Sequence, residues 1–346
     1  MPSRHVNVAL IGYGYAGKTF HAPLILSVPG LHLAAVVSSA PDKVHQDLPT
    51  VPVLTTPEEA FASADIDLIV VATPNITHFD LARRAIAAGK HVVVDKPFTN
   101  TSAEARELAE ISHTSDRVLS VFHNRRWDGD FLTVRQIIAS GKLGDVVQFE
   151  SHYDRYRPEV KHRWREEAGP GSGIWFDLGS HLLDQALQIF GMPEAVFADL
   201  AVLRDGGQTV DYFHVLLRYH RTRVILHGTN LAAAHSRRFD VHGTIASFLK
   251  QGTDPQEEML KSGIRPGDDQ WKPDPISGLL VLGDGSSHTS ETLPGNYPAY
   301  YAGVRDAILE GAPNPVPPED AVRVIELLEM GVRSAESGRE LKWETG

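Results

Sequence analysis

The 346 residues contain no cysteine, which excludes a disulfide framework, a thiolate nucleophile and any cysteine-ligated zinc or iron–sulfur cluster. Basic residues are in the minority. Lys plus Arg total 33 against 44 Asp plus Glu, a formal charge of −11 with a pI near 5.8, and this balance disfavours binding to nucleic-acid phosphates. No apolar run approaches the roughly twenty residues of a membrane span. The first one, Val6–Ile11, is six residues long, too short for the core of a signal peptide. These absences make the cytoplasm the expected compartment, with no membrane and no nucleic acid as partner.

What remains reads as an ordinary globular chain, 42% hydrophobic and 22% charged, with a mean hydropathy of −0.19. Its length exceeds a single core, so two domains are expected. The first 120 or so residues alternate short β-branched runs with helix-like stretches. The runs are Val6–Ile11, Leu31–Val37, Leu68–Ala72, His91–Val94 and Val118–Phe122, and their near-continuous apolarity fits parallel strands buried on both faces. Between them Thr56-Pro57-Glu58-Glu59 offers a helix cap, while Phe79–Ala88 ends at Gly89. The pattern predicts an α/β fold whose N-terminal domain, residues 1–124, is a doubly wound parallel sheet.

Beyond residue 125 the texture changes. Helices are predicted at Phe131–Ala139, Asp177–Phe190 and Glu319–Glu336, and strands at Val146–Tyr153, Ala195–Leu203, Tyr212–Tyr219 and Arg223–Leu231. Strands without intervening helices suggest a mainly antiparallel sheet in a second α/β domain, residues 125–346. The tract Gly252–Asp284, dense in Pro, Gly and Asp, reads as irregular loop.

Gly12-Tyr13-Gly14-Tyr15-Ala16-Gly17 follows the first strand and precedes a helix, the setting that the dinucleotide pattern G-x-G-x-x-G requires. Gly12 permits the tight turn, Gly14 lets the backbone approach a pyrophosphate, and Gly17 lets helix and strand lie close. With Lys18 and Thr19 the same residues also spell the triphosphate pattern G-x-x-x-x-G-K-[ST], and Val92–Asp95 could serve as its magnesium-binding strand. A glycine-rich turn that binds nothing is a third reading. Pro23, which cuts the next helix short, and the spacing to the second strand favour the dinucleotide. At the end of strand two, where a carboxylate ordinarily receives the ribose hydroxyls of NAD, stand Ser38 and Ser39, with Lys43 following. Two hydroxyls and an ammonium suit a 2′-phosphate, so NADP is favoured over NAD, although Asp42 could pair with Lys43 instead.

Asp95-Lys96-Pro97-Phe98 ends the fourth predicted strand, on the side where open α/β sheets bind ligands, which places Lys96 to reach a cofactor. Asp177 and His181, four apart at the start of a helix, can share one face, and Asp184 falls on the same side. A carboxylate beside an imidazole suits a general base for an alcohol proton; a capping Asp with a partly buried His is the plainer alternative. Two ligands do not make a metal site, and none is expected.

At this point the residues carry a resemblance. Gly12–Gly17, Phe20-His21-Ala22-Pro23, Ala72-Thr73-Pro74-Asn75 with His78, Gly89-Lys90-His91-Val92 into Asp95-Lys96-Pro97, and Asp177 to His181 together resemble the glucose–fructose oxidoreductase/inositol dehydrogenase (Gfo/Idh/MocA) family. The match spans nearly the whole chain. Phe122–Asp128, Tyr156–Val160, Arg163–Glu166 and Gly295-Asn296-Tyr297 are similar to the branch containing NADP-dependent scyllo-inositol 2-dehydrogenases. The family's usual Glu before the lysine is Asp95 here, one methylene shorter. The resemblance implies a Rossmann domain followed by a domain with a large open sheet whose exposed face builds homodimers or homotetramers. It implies catalytic roles for Lys96, Asp177 and His181, and cofactor contacts from Gly12, Tyr13, Gly14, Tyr15, Ala16, Gly17, Thr73, Pro74, Asn75, His78, Asp95, Lys96, Asn124 and Arg125.

Arg125, Arg126 and Trp127 follow the fifth predicted strand and read as lining the nicotinamide or substrate pocket; an Arg–Asp pair with Asp128 is the alternative. The stretch Tyr153–Arg165 mixes four arginines and Lys161 with Tyr153, Tyr156 and Trp164, a composition that suits a polyhydroxylated ring, and Arg163, Trp164 and Trp127 are expected to bind substrate. The expected activity is NAD(P)-dependent hydride transfer at a secondary alcohol or ketone of a cyclitol or sugar. An aldose or anhydrosugar dehydrogenase and a non-catalytic NADP sensor are the alternatives. The remaining histidines, His152, His214 and His227 among them, are read as packing or surface residues.

Overall fold

The computed structural model of the chain describes residues 5–161, 166–234 and 237–344. Its contacts divide it into two compact units: Met1–Asn124 with Pro255–Lys272 and Asn296–Val322, and Arg125–Asp254 with Pro273–Gly295 and Arg323–Gly346. Two segments that the sequence reading assigns to the second domain, Pro255–Lys272 and Asn296–Val322, therefore belong to the first unit.

The first unit is built on a six-stranded parallel sheet: β1 (Val6–Ile11), β2 (Leu31–Val37), β3 (Val53–Leu54), β4 (Leu68–Val71), β5 (His91–Val94) and β6 (Leu119–Val121), in the spatial order β3-β2-β1-β4-β5-β6. Every residue of β4 is buried, because a parallel sheet is covered on both faces and only apolar side chains meet no desolvation cost there. β3 has two residues, too few to show as an apolar run. The helix Pro57–Ala62 opens with a capping box: the Glu59 carboxylate accepts from the Thr55 hydroxyl at 2.6 Å and the Thr56 amide at 2.9 Å. The helix His78–Ala87 stops before Gly89, whose φ of +77° suits a residue without Cβ.

The late segment joins this unit for a hydrophobic reason. Tyr297, Tyr300, Tyr301 and Val304, on and just before the helix Pro298–Glu310, are fully buried. Tyr300 packs on Phe122 and donates its hydroxyl to Ser120 of β6 at 3.0 Å. Each ring buried in this way stabilises the unit by about 1.5–3 kcal/mol.

The second unit holds a nine-stranded sheet of β7 (Val146–Asp154), β8 (Ala195–Ala201), β9 (Tyr212–Arg218), β10 (Arg223–Thr229), β11 (Phe239–Gly243), β12 (Ala246–Lys250), β13 (Gly278–Leu282), β14 (Ser287–Ser290) and β15 (Leu341–Lys342). The order is β14-β13-β12-β11-β7-β10-β9-β8-β15. β7 and β10 pair in parallel, and the other neighbours are antiparallel. Burial alternates along β7 and β9: Phe149, Ser151 and Tyr153 face the interior with Phe213, Val215 and Leu217, while the other face stays half-open. Within the expected irregular tract, the helix Gln256–Lys261 and β13 both form. The run Gly-Leu-Leu-Val-Leu of β13 is masked in sequence by the prolines around it, and it needs Gly278 because a Cβ there would strike the Phe248 ring.

Candidate active site

In the first unit, residues from distant stretches of sequence come to one edge of the parallel sheet. Gly12 follows β1, Ser38 and Ser39 follow β2, Thr73, Pro74 and Asn75 follow β4, Asp95 and Lys96 follow β5, and Asn124 lies just past β6. All stand at the carboxyl ends of neighbouring strands, the crevice side of an open α/β sheet. A cleft of about 670 Å³ lined by His5, His91, His113 and Arg117 opens at the other end of the strands, away from this crevice side.

The glycine turn has the shape that a dinucleotide requires. Gly12 has φ +98°, and a Cβ there would lie 2.5 Å from the Ala72 carbonyl oxygen. At Gly17 a Cβ would run into the Gly12 carbonyl, whereas at Gly14 it would meet nothing within 4 Å. Two glycines are thus spent on close packing, and the third leaves the backbone open to a ligand. The helix that follows begins as a π-turn, Gly17–His21, and continues as Ala22–Ser27. The strand order is that of dinucleotide-binding sheets, which decides against the triphosphate reading. Lys18, the residue that reading depended on, pairs with Asp47 at 2.7 Å.

Several expected cofactor residues have their side chains otherwise engaged. The Tyr13 hydroxyl donates to Asp47 at 3.2 Å, and that of Tyr15 donates to Glu257 at 2.9 Å. Burial and the adjacent carboxylates push both phenols up to about 12. Ala16 adds only backbone to the turn. His78 is buried, with Nδ1 2.9 Å from the Pro97 carbonyl and Nε2 3.0 Å from that of Thr73. It braces the Thr73–Asn75 loop against the loop of Lys96, whose bond to Pro97 is cis, so its place is behind the site rather than facing a cofactor. Ser38 accepts from the Ala40 amide at 3.1 Å. Ser39 and Lys43 are exposed, and among the described residues Lys43 makes no ion pair with Asp42.

Asp95 sits in an arrangement that sequence reasoning missed. Its Oδ1 accepts from the Lys96 amide at 2.9 Å and lies 3.7 Å from His21 Nε2. His21 Nδ1 is 2.6 Å from the Tyr301 hydroxyl. Burial opposes ionisation of Asp95, but His21 and the Lys96 ammonium outweigh it and hold the carboxyl below its ordinary value. Burial raises the Tyr301 phenol well above 10, so Tyr301 stays protonated, and the tautomer in which it donates to Nδ1 turns the Nε2 proton rather than a lone pair toward Asp95. A fixed carboxylate is thereby held directly behind the backbone of Lys96. His21 and Tyr301 are 280 positions apart, and no local signal connects them.

In the second unit, Asp177 lies on a π-turn, Trp175–Gly179, that leads into the α-helix Ser180–Phe190 carrying His181. The widened turn is held from below: the Trp175 indole donates to the Leu328 carbonyl at 3.0 Å, and a Cβ on Gly179 would strike the Trp175 ring. Such π-bulges recur at functional sites. Asp177 is half-buried and His181 only 4% exposed.

Asp184 and Arg126 are bound to each other. Arg126 donates Nε to Oδ2 at 2.9 Å and Nη2 to Oδ1 at 2.6 Å, a buried bidentate pair. This ties the turn Asn124–Trp127 to the helix of His181. Arg125, expected at the cofactor, donates to Asp128 at 3.4 Å, lies over the Tyr153 ring at 5.0 Å, and receives at its carbonyl the Gln185 amide at 2.8 Å. Arg238, paired with buried Asp130 at 3.2 Å, also lies over the Tyr153 ring, at 4.4 Å. Trp127 is half-buried. Arg163 and Trp164 lie outside the described residues.

The description "Oxidoreductase family, NAD-binding Rossmann fold" matches residues 6–123, and "Oxidoreductase family, C-terminal alpha/beta domain", the second part of the Gfo/Idh/MocA family, matches 135–343. The chain is 56% identical over 336 residues to the uncharacterized oxidoreductase YdgJ of Escherichia coli, covering 96% of this chain and 97% of that one. It is 39% identical over 344 residues to the scyllo-inositol 2-dehydrogenase (NADP(+)) IolW of Bacillus subtilis, covering 98% and 96%. The solved structure of YPO2259 from Yersinia pestis superposes with a TM-score of 0.96 at 54% identity, covering 99% of each chain.

Proposed function

Because the chain belongs to the Gfo/Idh/MocA family of NAD(P)-binding oxidoreductases, we propose that it transfers a hydride between NADP and a secondary alcohol or ketone carbon of a cyclitol or sugar, with scyllo-inositol as the first substrate to test. The observation that carries this reading is the open Gly14 turn standing at the same sheet edge as Lys96, backed by whole-length similarity to a scyllo-inositol dehydrogenase.

The nicotinamide, when bound, donates or accepts the hydride. The protein handles the proton and the charge. Neutral His181 takes the hydroxyl proton, Asp177 orients the imidazole or a neighbouring hydroxyl, and the Lys96 ammonium stabilises alkoxide character. In reduction these roles reverse. Ser38, Ser39 and Lys43 would receive a 2′-phosphate, a choice supported by the exposure of Lys43 and its lack of an ion pair with Asp42. Trp127, Arg163 and Trp164 would offer the polyol an apolar face and hydrogen-bond donors. The half-open sheet face, with Phe197 and Leu279 exposed, supports assembly of a homodimer or homotetramer. Among the described residues no helix is long and apolar enough to cross a membrane, and we place the activity in the cytoplasm.

The test is absorbance at the NADPH band with scyllo-inositol, myo-inositol, an inosose and a set of aldoses, comparing NAD with NADP. NADP-dependent turnover of a cyclitol is expected. Turnover of aldoses alone would move the substrate class, and tight NADPH binding without turnover across the panel would overturn the reading in favour of a sensor. Lys96→Met and His181→Ala should each lower kcat by about 10²–10⁴-fold while NADPH binding, read by fluorescence, persists. Wild-type rates in both would remove the catalytic assignment.

A further inference from the structure

The open face of the nine-stranded sheet carries a row of imidazoles that the proposed hydride chemistry does not use. β7, β10 and β9 are neighbours, and their registers set His227 of β10 directly beside His152 of β7 on one side and His214 of β9 on the other. Asp154, two residues beyond His152, projects from the same face. Its carboxylate lies between two of the rings, with Oδ2 3.7 Å from His152 Nδ1 and Oδ1 3.5 Å from His227 Nε2.

Those separations are too long for good hydrogen bonds. Each is near the roughly 3.4 Å that separates two nitrogen or oxygen ligands held at about 2.0–2.1 Å from one cation, with each imidazole facing a different oxygen of the carboxylate. The three ligand atoms all fall within 4.8 Å of one another. The far nitrogen of each ring is also held. His152 Nε2 is 3.1 Å from Glu150 Oε2, and Glu150 itself accepts from Gln148 at 2.5 Å. His227 Nδ1 is 3.4 Å from His214 Nδ1. A ligating histidine is ordinarily oriented in this way, by a partner on its second nitrogen, most often a carboxylate. In the single chain the side chains of His152, Asp154 and His227 are 18%, 6% and 17% exposed, so the cluster is largely desolvated on its own.

We propose that His152, Asp154 and His227 bind one divalent transition-metal cation on the open sheet face, with Glu150 and His214 positioning the two imidazoles. Two imidazoles and one carboxylate suit zinc, cobalt or nickel, whereas magnesium and calcium require more oxygen ligands than this cluster holds. Three protein ligands leave a coordination position for water. The site stands on the strand registers alone and does not depend on the substrate reading.

The full-length chain, dialysed against a chelator and then titrated with Zn(II) by calorimetry, should bind one equivalent per chain, with no comparable binding of Mg(II). Co(II) should give the visible absorption of a low-coordinate nitrogen and oxygen site. His227→Gln and Asp154→Asn should each weaken Zn(II) binding by a hundredfold or more, and Glu150→Gln by about 10–100-fold at unchanged stoichiometry. Thermal melts without metal check that each variant folds. Should the ligand variants fail to fold, the Glu150→Gln shift and the Co(II) spectrum decide. Wild-type Zn(II) affinity in the folded variants, or no binding by the parent chain, would overturn the proposal.

Discussion

Arg126 and Asp184 give the sharpest test of how the second unit holds its functional helix. Their side chains are 6% and 2% exposed and share a bidentate contact. Asp184→Leu takes the bidentate counter-charge from a buried guanidinium, which costs about 3–5 kcal/mol, and Arg126→Met takes it from the buried carboxylate at a similar cost. Replacing both, as Arg126→Met with Asp184→Leu, removes the two desolvation penalties together and should cost less than about 2 kcal/mol. The coupling between the sites should therefore be about 4 kcal/mol or more. Urea is the suitable denaturant, since it leaves the ionic strength unchanged as its concentration rises. Tryptophan emission is the suitable probe, because Trp127, Trp175 and Trp343 lie in the second unit, and a chain of two units need not unfold in a single step. Both single variants should also lose turnover, since the pair fixes the turn of Trp127 to the helix of His181. Additive single costs, or a double variant as unstable as their sum, would refute this account.

Lys43→Ala should weaken NADPH binding by about 5–30-fold, the worth of 1–2 kcal/mol, and leave NADH binding unchanged; equal losses for both in fluorescence titrations would remove Lys43 from cofactor choice. Gly12→Ala should destabilise the first unit by several kcal/mol, combining the cost of a left-handed alanine with a clash against the Ala72 carbonyl, and a melting temperature within 2 °C of wild type would contradict it. His91 is pushed down to about 4 by burial and Arg117, and its Nδ1 accepts the Val118 amide at 3.0 Å, which an imidazolium could not do. Unfolded His91 takes up its proton near its ordinary 6.5 and the folded form only near 4. Its contribution to stability is thus present above pH 6.5 and is lost as the pH falls toward 4. Because the ring is partly exposed, solvent screening limits the loss to about 1–2 kcal/mol. Urea midpoints at pH 7 and 4.5 should fall further for wild type than for His91→Asn, and equal falls would exclude His91 as the cause.

What could be read from the chain alone was whatever its near neighbours determine. The Gly12–Gly17 turn, the Thr56–Glu59 cap and the stop at Gly89 are each decided within a few residues, and each forms where the local chemistry requires it. Alternation fixed β7, β9 and β10 for the same reason. Contacts that depend on register or on distant sequence were not legible. The two residues of β3 are too short to show a period, and β13 is hidden among prolines. Nothing local to Arg126 selects Asp184, 58 positions away, over the adjacent Asp128. His152, His214 and His227 looked like unrelated strand residues because only the parallel pairing of β7 with β10 puts the first two strands of the row in step.

The same distinction explains why the site residues divide as they do. Glycines at Gly12 and Gly17 could be assigned roles because a missing Cβ acts through sterics at its own position. Arg125 and Arg126 were placed at the site by their position after a strand and His78 by the resemblance, yet the His78 ring lies between two backbone carbonyls, Arg125 donates to Asp128 and Arg126 donates to Asp184. A charge or imidazole that is desolvated must find a partner, and in this fold the partner comes from the framework. A buried polar side chain that follows a strand is therefore first a support of its own unit, engaged by the framework around it.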